Sequence, residues 1–237
     1  MSFRQDLLDL AEQVPFLSHP WFQEVIHHRL KREQIILGEQ QHYLRVRRNA
    51  DIFGPIVTCA AREGDYETFD IARSNFKDEM CGRRSHCDIM YQFLEIEGIG
   101  RDAADKVAPT PGTMAAIAML TNASTSFSAL EQLAMLSLAE LQYGGAEGVA
   151  SQMYQALCDY GFSHRAAETY FVHVESDAEH GPAQINYLVQ RAEREPALVN
   201  RLLEAARYGL IAFKFEWDGH YQAATRNLHW YWNGQSS

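Results

Sequence analysis

Apolar positions recur along the chain at helical rather than strand spacing. Leu7, Leu8, Leu10, Ala11 and Val14 mark a first face. Ile36, Leu37, Gln40, Tyr43 and Leu44 form a stripe on a second helix predicted over about 33–49. Ile71, Phe76, Met80, Ile89, Phe93 and Leu94 repeat the spacing over 70–96. An Ala/Met/Leu-rich run predicts a long helix over 113–143, and further helices are predicted over 150–160, 166–178, 184–195 and 197–225. No segment alternates with period two, so no strand is predicted. Pro15, Pro20, Pro55, Pro109, Pro111, Pro182 and Pro196 sit at expected joints, as do the glycines of 98–100 and 144–145. Ser163 reads as an N-cap. The expectation is one all-α domain over 1–237, a bundle of seven to nine helices with an aromatic tail over 226–237.

Composition changes this picture little. The 237 residues are 46% hydrophobic and 22% charged, as in an ordinary globule. No stretch approaches the length of uncharged apolar chain that crosses a bilayer, so no membrane partner is expected. The first residues lack a basic segment followed by an apolar run, so no secretory signal is expected and the compartment is read as cytoplasmic. Lys+Arg number 21 against 31 Asp+Glu, a net charge of −10, which argues against nucleic acid as a partner. Cys59, Cys81, Cys87 and Cys158 form no CxxC and are read as reduced thiols.

Three segments carry metal-ligand residue types. In the first, Glu79 and His86 stand seven positions apart. On one helix they would share a face about 10 Å apart along the axis. In the second, Glu140 closes a strongly apolar helix. In the third, His173, Asp177 and His180 stand at i, i+4 and i+7 on one face. Groups spread along a row suit two metal ions roughly 3.5–4 Å apart better than one. Carboxylates and imidazoles without thiolate suit iron or manganese better than zinc. The other reading of the same residues is a solvated polar face.

Together, Glu-x6-His, the lone Glu140 and His-x3-Asp-x2-His resemble the pattern of the haem-oxygenase-like diiron oxidases. The wider superfamily includes the thiaminase II (TenA-like) and pyrroloquinoline-quinone synthase (PqqC-like) groups. The resemblance runs from about His19 to Tyr221. Lys31-Arg32-Glu33-Gln34-Ile35 followed by Tyr43 is similar to the superfamily's second-helix entry, and Asp159-Tyr160-Gly161-Phe162-Ser163 is similar to the segment before the third ligand group in its chlamydial branch. The resemblance implies that Glu79, His86, Glu140, His173, Asp177 and His180 hold two iron ions, or manganese with iron, with Glu140 bridging. It implies O2 as co-substrate, no haem, a small amine or amino-acid-like substrate and a homodimer, with room for an external electron donor. The chemistry it implies is N-oxygenation or oxidative C–C or C–N bond chemistry.

The para-aminobenzoate synthases of this family resemble self-processing enzymes that consume their own tyrosine and use a lysine. Here Phe22 stands at the tyrosine position and Gln152 near the lysine, so that activity ranks second. Tyr43 and Tyr143 are the substitutes to consider. A thiaminase-like, metal-free enzyme would want a nucleophilic cysteine, for which Cys158 is the candidate. A metal-free helical scaffold is the remaining class. Substrate-facing candidates are Tyr43, Arg47, Arg83 and Lys214, with Arg45, Arg48, Arg84, Glu216 and Asp218 close by. The aromatic tail, His229-Trp230-Tyr231-Trp232, is expected to cover apolar surface or a dimer contact.

Overall fold

The computed structural model describes residues 2–81, 84–227, 231–232 and 235–236. Twelve α-helices follow in chain order: α1 (Phe3–Gln13), α2 (Pro20–Ile26), α3 (Arg32–Val46), α4 (Asn49–Glu63), α5 (Tyr66–Met80), α6 (His86–Ile96), α7 (Arg101–Ala104), α8 (Pro111–Asn122), α9 (Ala129–Tyr143), α10 (Val149–Asp159), α11 (Glu168–Arg194) and α12 (Val199–Thr225). The all-α expectation holds. Among the described residues the sole β pairing is a short antiparallel ladder in the tail, Tyr231–Trp232 against Gln235–Ser236. His229 and Trp230 lie outside the described residues.

Helix number exceeds seven to nine because two predicted long helices are each two, and α2, α4 and α7 form where no helix is predicted. Over 70–96 the chain stops at Met80 and restarts at His86. Ser85 starts the new helix: its Oγ accepts the Asp88 N–H at 3.1 Å and Asp88 Oδ2 accepts the Ser85 N–H at 3.2 Å. Over 113–143, Ser128 and Glu131 form the same reciprocal cap and start α9. Prolines mislead in the opposite direction. Pro20 and Pro111 do open helices, but Pro55 lies inside α4 and Pro182 inside α11. The two helices expected over 166–178 and 184–195 are therefore one helix of 27 residues. An interior proline costs about 3 kcal/mol, and packing of α11 on α9 offsets it here. Ser163 caps a turn through the Ala166 N–H at 3.1 Å, and the helix itself begins at Glu168.

Helix α12 packs on α3, α8 and α9, and α11 packs on α9 and α10. Trp21, Phe22, Tyr43, Phe93, Tyr170 and Trp217 are fully buried between them. No helix among the described residues is long and apolar enough to cross a membrane.

Candidate metal centre

The helix break between α5 and α6 corrects the 10 Å row. Glu79 lies in the last turn of α5 and His86 opens α6, with Glu79 Oε2 2.8 Å from His86 Nδ1. On α11, His173 Nδ1 lies 2.9 Å from Asp177 Oδ2, one helical turn on. The His86 and His173 rings meet edge to face at 4.7 Å, joining the two pairs. Glu140 enters from α9 and accepts a hydrogen bond from Gln184 Nε2 on α11. Two glycines set that approach. A Cβ on Gly144 would lie 2.3 Å from the Asp177 carbonyl carbon, and one on Gly181 2.7 Å from Leu141 Cα. No larger residue lets α9 and α11 come this close. His180 sits at the rim, with Nε2 3.7 Å from Asp78 Oδ2 and its side chain about one-third exposed, at 32%.

Glu79, His86, Glu140, His173 and Asp177 line a cavity of about 700 Å³. Ile52, Phe53, Leu120, Leu136 and Phe213 contribute apolar surface to the same cavity. A smaller cavity of about 300 Å³ shares Glu79, His86, Glu140 and Asp177 and adds His180 and Asn75.

The charges are unevenly matched. Burial raises the Glu79 carboxyl, but the His86 and His173 imidazoles and Arg45 outweigh it and hold the group below the usual carboxylate range. Burial lowers His173, and Asp177 and then Glu79 together more than reverse it. Glu140 has no such partner: burial, Asp177 and then Glu79 push its carboxyl well above the ordinary value. Cationic charge is therefore lacking at Glu140. The donor chemistry fits iron or manganese. The arrangement itself is closed, with imidazole and carboxylate bonded to each other. Among the described residues no group of three or more His, Cys, Asp or Glu converges on a point that could hold an ion. An ion would have to replace those hydrogen bonds.

Residues 40–213 match the model of a family described as iron-containing redox enzymes. The chain belongs to this family. It is 25% identical over 209 residues to a 4-aminobenzoate synthase of Chlamydia muridarum, covering 87% of this chain and 85% of that protein. Its fold is haem-oxygenase-like. A domain of unknown function with a haem oxygenase-like fold from Shewanella denitrificans matches with a TM-score of 0.72 at 16% identity, covering 92% of this chain and 90% of that one. A CADD-like protein of unknown function from Nostoc punctiforme matches with a TM-score of 0.72 at 13% identity, over 95% and 97%. A TenA homologue from P. horikoshii matches with a TM-score of 0.66 at 15% identity, also over 95% and 97%.

In this family member the predicted substrate-facing residues are mostly elsewhere, and helical register is the reason. Tyr43 on α3 and Arg47 just past its end both turn to Asp105, which accepts the Tyr43 hydroxyl at 2.8 Å and pairs with Arg47 at 3.0 Å. Burial and the Asp105 contact raise the Tyr43 phenol to about 12. His42, Arg45 and Val46 on the other face of α3 line the cavity, together with Asn49 at the start of α4. On α12, Phe213 and Trp217 reach the cavity, whereas Lys214 turns with Asp218 to the buried His19 (Nζ–Oδ2 2.7 Å, His19 Nε2–Oδ1 3.1 Å). Arg83 lies outside the described residues. Arg84 clamps the site turn to Gln92 and Glu168, and Arg48 pairs with Asp51 at the surface. Cys158 is outside the cavity lining, and burial raises its thiol, the reverse of what a nucleophile needs.

Sequence reasoning missed His42, Asn49 and Gln184. Gln184 was within reach: it continues the 173, 177, 180 row at i+4 from His180. Asn49 Nδ2 donates to Glu79 Oε2 at 2.6 Å and its Oδ1 accepts from Arg45 at 2.7 Å. No spacing rule links those positions, which meet only through the packing of α4 on α5.

Proposed function

We propose that the chain is an O2-activating oxidase or oxygenase with a dinuclear iron or manganese–iron centre, acting on a small amine or amino-acid-derived metabolite. Glu79, His86, Glu140, His173, Asp177 and His180 would hold the ions, with Glu140 between them. The observation that carries the reading is Glu140 itself: a carboxyl beside two others, at the meeting of two imidazole–carboxylate pairs, without a cation. Bound there, two reduced ions would supply electrons to O2. The protein's own part is positioning and exclusion of water. Arg84 ties the chain just before His86 to Gln92 and Glu168, Asn49 and Gln184 orient Glu79 and Glu140, and Phe53, Leu136 and Phe213 give the cavity apolar surface. Among the described lining residues Arg45 is the one permanent cation, and Glu216 Oε1 (2.9 Å) and Asn49 already engage it. That favours an amine over a simple carboxylic acid.

A second reading, self-processing to 4-aminobenzoate, is supported by the activity named for the chlamydial relative and by Tyr143, whose buried hydroxyl is unpartnered beside the His173 ring (5.6 Å). Phe22 and Gln152 weigh against it. Phe22 has no phenol, and Gln152 bonds the Glu147 carbonyl at the surface. Intact mass after O2 exposure separates the two, because self-processing removes mass from the chain.

The deciding test is anaerobic Fe(II) titration of the metal-stripped chain, then O2 in a stopped-flow spectrometer. Saturation near two irons per chain with a transient visible absorption is expected. Glu140→Ala is expected to abolish loading and O2 consumption while its helical circular dichroism survives. Normal loading of that variant overturns the ligand assignment.

A further inference from the structure

Behind the cavity lies a buried group of ionisable residues outside the set assigned to the ions. Glu39 and His42 on α3 are 0% and 3% exposed. His42 Nδ1 lies 3.0 Å from Glu39 Oε2, and the Tyr170 hydroxyl donates to Glu39 Oε1 at 2.7 Å. Both carboxylate oxygens are thus engaged. A carboxylate accepts, so the Nδ1 of a neutral His42 carries the ring proton and Nε2 keeps a lone pair. His42 lines the cavity, and among the described residues none hydrogen-bonds its Nε2. This is the arrangement of a base held in one tautomer by a carboxylate.

We propose that His42, oriented by Glu39, is the base that takes a proton from an ammonium substrate in this cavity. The inference rests on the amine reading given above. In the step, an N–H bond of R–NH3+ breaks, its electron pair stays on the substrate nitrogen, and the proton bonds to His42 Nε2. The product is R–NH2 and an imidazolium facing the Glu39 carboxylate. An amine must lose this proton before its nitrogen can be oxidised, because the ammonium has no lone pair. Trp217 and Tyr170 pack around the ring at 6.3 and 5.9 Å.

The other titratable groups facing His42 are fixed near neutral pH. Arg45 is bonded to Glu216. Burial holds His220, 5.2 Å away, well below its ordinary value and therefore neutral. Burial holds Tyr143 and Tyr170 well above theirs. Glu39 is a positioning residue and does not meet the substrate.

Benzylamine is the probe, and its affinity is read by calorimetry across pH 7–8.5, where an ordinary imidazole is mostly neutral and the amine mostly protonated. Full-length chain is used both with Fe(II) under argon and metal-free, so the result is separable from failure of iron loading. If His42 takes the proton, binding releases none to solvent and the wild-type affinity is nearly flat with pH. His42→Gln has no acceptor, so the amine binds only after losing its proton to solvent, and affinity rises about tenfold per pH unit below the amine's own pKa. At the low end of the range the variant therefore binds at least tenfold more weakly. Glu39→Gln keeps an acceptor for Nδ1 but not the charge, and is expected to show the same slope at intermediate affinity, which guards against a misfolded His42 variant. Equal slopes in wild type and His42→Gln, whether flat or tenfold per unit, overturn the assignment of His42. Absence of benzylamine binding to the wild type, with normal iron loading, overturns the ammonium as its substrate.

Discussion

Replacing Glu140 by glutamine in the metal-free chain should stabilise the fold while removing the proposed function. Glu140 is packed among Asp177 and Glu79, and its carboxyl is held well above the ordinary value of 4.5, by burial first and by those two carboxylates next. A group whose folded value is raised binds more protons folded than unfolded. Its penalty is absent below about 4.5 and grows as pH rises toward the folded value. Each unit of displacement corresponds to about 1.4 kcal/mol. Glutamine is isosteric and neutral, can still accept from Gln184, and offers an N–H to the neighbouring carboxylates. A gain of about 1–3 kcal/mol is expected near pH 8. For a chain of this size that is a rise in Tm of roughly 2–10 °C. Thermal melts by circular dichroism in EDTA, for both proteins at pH 5 and pH 8, measure it. The gain should be large at pH 8 and small at pH 5. Added Fe(II) should reverse the order by stabilising only the wild type. A variant that is less stable at pH 8, or equally shifted at both pH values, refutes the claim that the Glu140 carboxylate lacks a cation.

Two further outcomes follow from the packing. Gly181→Ala places a Cβ 2.7 Å from Leu141 Cα and 2.8 Å from Leu141 N, so α9 and α11 must part. A loss of about 1–3 kcal/mol in urea unfolding is expected, with weaker Fe(II) binding as Glu140 leaves Asp177. Asp65 caps α5 through the Thr68 N–H at 3.1 Å and pairs with Arg191 at 2.6 Å. Burial works against the Asp65 carboxylate, but Arg191 and Thr68 hold its pKa below the ordinary value. Its contribution is present above about 3.8 and lost as pH falls through the folded value. Asp65→Ala should therefore cost about 1–2 kcal/mol at pH 7 and progressively less below pH 4, as read by chemical denaturation.

What the sequence determined was whatever depends on one helix at a time. The 3.6-residue period fixed the all-α class, and it placed His173, Asp177 and His180 on one face before any packing was known. The same rule would have added Gln184. It also misled where a local signal was weaker than a nonlocal one. Pro182 reads as a break, yet contact along α9 carries α11 through it. Ser85 and Asp88 cap a new helix inside what reads as one amphipathic run, and that break, not the seven-residue spacing, brings Glu79 to His86. Which face of α3 meets the cavity was decided only in the tertiary structure. Tyr43 and Arg47 differ from His42 and Arg45 by less than a turn, and nothing local says which side Asp105 or Trp217 will occupy. Glu39 and His42 are likewise adjacent on paper and functionally silent until α11 and α12 bury them. A single helix reports its own periodicity. The depth at which a polar pair is buried, and so the chemistry it performs, is set by the helices packed against it.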